Sequence, residues 1–127
     1  MIRETENRLR VLLANEPRSY REAIAAVLRE TRPDASIFEA DSSHIHFEVA
    51  YHRPDLVICS RATSAVRGLV ASWVELYSDH GPLSLVCVDG RLSEVEGMQL
   101  QALLSIVDRV GSPDAGRPAL PTRGAFA

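Results

Sequence analysis

Residues 41 to 60, DSSHIHFEVAYHRPDLVICS, decide the fold, because they predict a helix followed at once by a buried strand. Residues 55–60 (DLVICS) form an apolar run introduced by an Arg-Pro pair, which is typical of the centre of a parallel sheet. Residues 44–52 are ambiguous: their apolar residues alternate as in a strand, yet Ile45 and Val49 also have helical spacing. The strand that follows them favours the helix.

The residues upstream predict two more strands joined by a helix. Residues 9–14 (LRVLLA) are a short apolar run bounded by polar residues, as expected of a strand buried on both faces. Pro17 opens a helix of amphipathic spacing, and residues 35–40 (ASIFEA) predict the second strand. The residues that can cap the next helix are Asp41, Ser42 and Ser43. Strands that alternate with helices in this way predict βαβ units and a doubly wound α/β domain.

The segment 63–77 has two interpretations. Its apolar residues have the spacing of one long helix, but Gly68 interrupts that helix and the residues around Trp73 are strand formers. A short helix over 63–70 followed by a strand over 72–77 is therefore the preferred interpretation. The single long helix is the alternative.

The rest of the chain predicts a hairpin and a closing helix. The turn residues 78–82 would pair the preceding strand with a strand over 83–88, and residues 98–110 carry a helical stripe of apolar residues. The tail after that helix is rich in proline and glycine, and we expect it to be flexible. The expected organisation is an N-terminal extension (1–8), one domain (9–110) and a flexible tail (111–127).

The composition excludes several classes of protein. The chain has 127 residues, 46% of them apolar, which is enough for one buried core. Its net charge of -3 disfavours nucleic acid as a partner, and no apolar run reaches the roughly 20 residues that a membrane-spanning helix needs. The charged start MIRETENRLR is unlike a secretory signal, so we expect a cytoplasmic protein. Cys59 and Cys87 lie in apolar runs and are expected to be buried thiols.

Two segments, VLLANEPRSYREAIAAVL (11–28) and DSSHIHFEVAYHRPDLVICS (41–60), carry a family resemblance. They resemble the receiver domain of bacterial two-component response regulators, which has an apolar strand, two acidic positions and a helix, and later a capped helix, a proline, an aspartate and an apolar strand. The resemblance implies a flavodoxin-like, doubly wound sheet of about five strands. Because only residues 78–82 separate the fourth and fifth strands, we expect that the family's helix between them is missing.

The resemblance also implies where the functional residues of a receiver would be. The two magnesium-binding carboxylates correspond to Asn15 and Glu16, the phosphoacceptor aspartate to Ser60, and the lysine to a position near Asp89; the chain has no lysine. Magnesium usually needs one or two carboxylates within an octahedron of oxygens, so this set is a poor site. A serine without a neighbouring base cannot replace the aspartate. We therefore expect no phosphoryl transfer, no metal and no cofactor.

The first functional hypothesis is contact with other proteins. In this hypothesis the chain is a phosphorylation-independent receiver-like protein, not an enzyme, that works in bacterial signalling or regulation. Deletion of a helix would uncover one face of the hairpin, so Trp73, Glu75 and Tyr77 are the candidate interface for a partner protein or a homodimer. The last strand would also be an open edge able to pair with a copy of itself.

The second hypothesis is a small ligand-binding or enzymatic domain. Asn15, Glu16 and Ser60 are expected at the carboxyl ends of the first and third strands, where open α/β sheets usually bind ligands. A crevice that is closed would favour the contact hypothesis, and an open polar crevice would favour a ligand.

Overall fold

The computed structural model describes residues 8–77 and 81–112, and these form a mixed α/β fold. The strands are β1 (Arg10–Ala14), β2 (Ser36–Glu39), β3 (Leu56–Cys59), β4 (Ser72–Glu75), β5 (Leu83–Val88) and β6 (Arg91–Glu96). The helices are α1 (Arg18–Thr31), α2 (Ile45–His52, after a 3-10 turn at Ser42–His44), α3 (Ser64–Leu69) and α4 (Leu100–Gly111).

All six strands belong to one sheet, in the order β2-β1-β3-β4-β5-β6. The strands β2, β1, β3 and β4 are parallel to one another. In contrast, β5 is antiparallel to β4, and β6 is antiparallel to β5. The expected hairpin between the fourth and fifth strands is therefore confirmed. The expected count of about five strands is wrong, because β6 adds a sixth. A receiver sheet with parallel strands throughout is not what this chain forms, and a receiver lineage stays a proposal.

Helices cover both faces of the sheet, and the two faces carry separate cores. Along β1, Val11 and Leu13 face α1 and α4, while Leu12 and Ala14 face α2 and α3. We call these the α1/α4 face and the α2/α3 face. Buried residues on the α1/α4 face include Ile24, Leu28, Ile58, Val74, Leu103 and Val107. Buried residues on the α2/α3 face include Ile45, Val49, Val57, Cys59, Val66 and Trp73.

Local sequence signals explain where several helices begin and end. Pro17 is the residue before α1, where its fixed φ and missing N–H suit the first turn. The Asp41 carboxylate accepts a hydrogen bond from the Ser43 N–H (3.3 Å) and caps the 3-10 turn before α2. Arg53 ends α2 in the left-handed conformation (φ 50°), and a proline follows it. The helical interpretation of residues 44–52 is confirmed.

The segment 63–77 follows the preferred interpretation rather than the long helix. Thr63 caps α3 by accepting a hydrogen bond from the Val66 N–H (3.3 Å), and α3 ends at Leu69, before β4. Val74 of β4 and Leu76, just after it, belong to the core on the α1/α4 face, which α4 covers.

The sequence analysis missed β6 and the turn that precedes it. Asp89 and Gly90 connect β5 to β6 with φ values of 51° and 85°, and Val88 is paired with Arg91. Two central residues with positive φ are the signature of a type I′ turn, for which Asp-Gly is a preferred sequence.

The candidate interface at Trp73, Glu75 and Tyr77 is not an uncovered surface. Trp73 and Glu75 are only 4% and 7% exposed, because α3 lies over this part of β4 and the Arg67 guanidinium stacks on the Trp73 ring (4.7 Å to its centroid). Tyr77 lies beyond the end of β4, where its hydroxyl donates to the Met98 carbonyl (2.7 Å). The expectation that these residues form an exposed face is therefore wrong, and β6 covers the edge of β5 that was expected to be open.

Most of the expected extension (1–8) and tail (111–127) lies outside the described residues. Arg8, at the start of the described chain, donates from its Nε to the Asp34 carbonyl (2.9 Å). None of the helices in residues 8–77 and 81–112 is long and apolar enough to cross a membrane.

Candidate functional site

The carboxyl ends of β1 and β3 bring the first predicted site residues together. The two strands are parallel neighbours, with Ala14 paired to Cys59, so the residues that follow them meet at the same edge of the sheet. There the Glu16 N–H donates a hydrogen bond to the Ser60 Oγ at 2.8 Å. The convergence of Asn15, Glu16 and Ser60 at the strand ends is therefore as expected.

The Glu16 carboxylate joins this pair to two further elements. Ser42 Oγ donates to Glu16 Oε2 at 2.7 Å, and Arg21 Nη1 lies 4.0 Å from the same oxygen. Ser42 follows β2, and Arg21 is the fourth residue of α1. One carboxylate oxygen thus faces a hydroxyl and a guanidinium, which leaves it poorly placed to anchor a cation.

Asp41 lies beside this cluster, in the loop after β2. Hydrogen bonds from the backbone and the hydroxyl of Ser43 lower the pKa of Asp41, and His44 and Arg21 add attraction of opposite charge. The carboxylate is therefore held in its ionised form by the start of the 3-10 turn.

Asn15 and Arg21 form the buried part of the site. Asn15 is fully buried, and neither its Oδ1 nor its Nδ2 has a hydrogen-bond partner within the described residues. Arg21 is 7% exposed; its Nη1 donates to the Asn15 carbonyl at 3.4 Å, and its Nε has no partner in the same part of the chain. Buried polar groups are nearly always hydrogen-bonded, so this pair is the most unusual polar feature of the structure.

A second group of bonds holds the β3–α3 loop at the end of β4. The Ala62 N–H donates to Glu75 Oε2 at 2.7 Å, and Arg67 Nη2 lies 3.9 Å from that oxygen. Arg67 Nε also donates to the Ala62 carbonyl (3.0 Å), and the His46 ring and the Thr63 hydroxyl are hydrogen-bonded at 2.8 Å. Glu75, first expected to be an interface residue, is therefore an internal anchor of the loop that follows Ser60.

Cys59, the last residue of β3, is a buried thiol, as the sequence predicts. Burial and, to a smaller extent, the negative charge of Glu75 raise its pKa from 9.0 to about 12. Its Sγ donates to the Val74 carbonyl at 3.6 Å. A thiol held neutral in this way is a poor nucleophile.

Asp89 does not join the site. Because β5 is antiparallel to β4, its carboxyl end lies at the opposite edge of the sheet, where the Asp89 N–H donates to the Ser72 Oγ (3.0 Å) at the start of β4. Asp89 therefore does not lie where the resemblance to a receiver implied, and that expectation is wrong.

The structure adds two residues to the site that the sequence analysis did not select, Arg21 and Ser42. Ser42 could have been found from its place after β2, since the carboxyl ends of parallel strands share one edge. Arg21 gave no such signal, because an arginine in an amphipathic helix is normally solvated. Within residues 8–77 and 81–112, no group of three or more histidine, cysteine or acidic side chains is placed to bind a metal ion.

Comparison with protein-family models, with curated proteins and with solved structures gives no match for this chain. The family resemblance of residues 9–60 therefore rests on the sequence patterns alone.

Proposed function

We propose that the chain is a receiver-like protein that acts by protein–protein contact in bacterial signalling or regulation, without catalysis and without phosphoryl transfer. Three residues of the polar cluster support this proposal because they are bonded to one another. Ser60 accepts the Glu16 N–H, and Glu16 accepts the Ser42 hydroxyl.

The observation that carries the proposal is the location of the exposed apolar side chains. Five large ones, between 39% and 72% exposed, lie on α2, on α3 or on the same face of the hairpin: Phe47, Tyr51, Leu69, Leu83 and Leu92. The rings of Phe47 and Tyr51 stack with their centroids 6.0 Å apart. Exposed aromatic and aliphatic residues concentrated on one side of a protein mark contact surfaces.

The test is capture of partners by matched baits from cells that naturally make the protein. The baits are the wild type, Phe47→Asp, Leu92→Asp and the control Leu100→Asp, which changes an exposed leucine on α4. The proposal expects at least one protein that the wild type and the control retain and that Phe47→Asp or Leu92→Asp loses. Equal capture by all four baits would overturn it.

Phosphoryl transfer is tested separately with acetyl phosphate and magnesium. Because a serine takes the place of the phosphoacceptor aspartate and its hydroxyl oxygen already accepts a hydrogen bond, the intact mass is expected to stay unchanged. A gain of one phosphoryl group that maps to residues 55–61 would contradict this part of the proposal.

A second candidate function, a ligand site around Asn15, Glu16 and Ser60, is favoured by one observation. The buried Asn15 amide and Arg21 Nε have no protein partner in the described part of the chain, and together they could hydrogen-bond a small anion. This candidate predicts that acetate or inorganic phosphate raises the Tm of the wild type and not of Asn15→Leu. The absence of any rise with either anion would remove it.

A further inference from the structure

One face of the β5–β6 hairpin is covered only in part within the described residues, because Leu85 and Cys87 pack with the core on the α2/α3 face while the rest of this face stays exposed. α3 ends at Leu69, before β4, and residues 76–82 lead from β4 to β5 without a helix among those that are described. On the α1/α4 face, Val86 and Val88 of β5 are buried in the core. On the other face, Leu83 is 39% exposed and Leu92 is 61% exposed.

This partly covered face has an apolar side and an acidic side. Register pairs Leu83 with Glu96, Leu85 with Glu94, and Cys87 with Leu92, so the six side chains form three rows on one face. Leu83 and Leu85 lie on the β5 side and Glu94 and Glu96 on the β6 side. Neither glutamate forms an ion pair within residues 8–77 and 81–112.

The dimensions of this face fit one helix. Two neighbouring strands are about 10 Å wide, and a helix with its side chains is about 10–12 Å across. Each strand of the hairpin has 6 residues. Six residues in a strand extend over about 17–20 Å, which equals the length of about 12 helical residues, or three turns. A sheet normally buries its apolar face against such a layer of helix.

The charge of this face selects the chemistry of the helix. Apolar residues against β5 and arginine or lysine residues against β6 would match both sides of the face. A second copy of this chain, docked through the same face about a two-fold axis, would bring its own Glu94 and Glu96 against either these carboxylates or the apolar β5 side, and neither arrangement gives a carboxylate a positive partner. The match therefore favours a different protein over a homodimer.

We infer that this face binds one amphipathic helix of a partner protein, with aliphatic side chains against Leu83, Leu85 and Leu92 and basic side chains against Glu94 and Glu96. The inference rests on the proposed function, protein contact, and gives it a place and a partner chemistry. The helix would occupy the layer that a crossover helix fills when two neighbouring strands are parallel.

The first experiment measures access to the face in the full chain. Both native cysteines are buried, so Leu92→Cys and the control Leu100→Cys each add one accessible thiol. Both new thiols should react quickly with a maleimide, at rates that do not depend on protein concentration. Slow reaction of Leu92→Cys alone at every concentration would overturn the inference, because the chain itself would cover the face. Slow reaction only at high concentration would overturn it in favour of a second copy.

The second experiment uses a designed peptide as the partner helix. The peptide has about 14 residues, with leucines on one helical face and arginines beside them; its control has the same composition in an order without amphipathic spacing. Fluorescence anisotropy should show binding of the first peptide only, with an affinity that falls as salt rises. At about ten times its Kd, the peptide should slow the labelling of Leu92→Cys about tenfold and leave Leu100→Cys unchanged.

Variants then assign the two sides of the face. Leu92→Arg should weaken binding by about tenfold or more, and Glu94→Gln should weaken it several-fold and reduce its salt dependence. Leu100→Arg and Glu30→Gln, which alter exposed residues of α4 and α1, should leave the affinity unchanged. Equal binding to all variants would overturn the inference. If the peptide fails while the Leu92→Asp bait still loses a natural partner, this inference falls and the proposed function stands.

Discussion

The two faces of the sheet differ in how fully helices cover them. α1 and α4, with 14 and 12 residues, cover the α1/α4 face, whereas α2 and α3 have 8 and 6 residues. In the described residues, five of the six large exposed apolar side chains lie on the α2/α3 side and one, Leu100, on the other. The length of the covering helices therefore decides which side of this molecule has apolar surface left for a partner.

The largest expected effect compares neighbouring residues of β1. Leu12 and Leu13 are both fully buried, on the α2/α3 face and the α1/α4 face respectively. Leu→Ala at either position should cost about 2–5 kcal/mol of unfolding free energy. Leu13→Ala should cost more, because two long helices adjust less to a cavity than two short ones. Urea unfolding of both variants measures the two losses of unfolding free energy. A larger loss for Leu12→Ala than for Leu13→Ala would contradict this expectation.

The next effect is at the end of β4. Glu75→Ala should destabilise the protein by about 1–3 kcal/mol, because the buried Ala62 N–H would lose its acceptor and Arg67 its counter-charge. Glu94→Ala is the matched control, since Glu94 is exposed on the hairpin. Its effect should stay within about 0.5 kcal/mol. A neutral Glu75→Ala in the same unfolding assay would mean that the β3–α3 loop does not depend on this carboxylate.

The pH dependence of stability should report Cys59 on the α2/α3 face. Its pKa is raised from 9.0 to about 12 in the folded protein. Above pH 9 the unfolded chain loses this proton while the folded chain keeps it, so stability falls as pH rises towards 12. The fall from this group between pH 8 and 10 should be about 1.4 kcal/mol. Chemical unfolding of the wild type and of Cys59→Ala at several pH values isolates the contribution of this thiol. If the unfolding free energy of the two proteins fell equally with pH, the burial of the thiol would be contradicted.

The smallest expected effect is at Ser60. Ser60→Ala removes the acceptor of the Glu16 N–H, at a site with access to water, and should cost about 0.5–1.5 kcal/mol. Ser105→Ala is a control on the exposed side of α4, where the hydroxyl donates only to its own helix. A loss above about 3 kcal/mol for Ser60→Ala would show that the polar cluster is central to stability.

Strong apolar patterns explain what the sequence predicts correctly. β1 and β3 are buried on both faces, so residues 11–14 and 56–59 are continuous apolar runs, as is typical of a central parallel strand. The convergence of Asn15, Glu16 and Ser60 follows from the place of these strands in the sheet, because the three residues come one or two positions after the end of β1 or β3.

Weak or non-local patterns explain what the sequence did not reveal. Five of the six residues of β6 are exposed, so its sequence does not alternate between apolar and polar residues. The Asp-Gly turn before it was the only usable signal. The burial of Trp73 depends on α3 and on the stacking of Arg67, which are contacts between elements. The incorrect prediction for Asp89 has the same origin, because the direction of β5 decides at which edge of the sheet Asp89 lies.

The place of α4 in the chain has a consequence for how the protein is made. Leu103 and Val107 of α4 pack with Ile58 of β3 and Val74 of β4, which are synthesised much earlier. At about 5–20 residues per second, a ribosome needs about 3–10 s to extend the chain from Ile58 to Gly111. During that interval the nascent strands have no α4 to shield them. The core on the α1/α4 face is therefore the last part of the described fold that can close during synthesis.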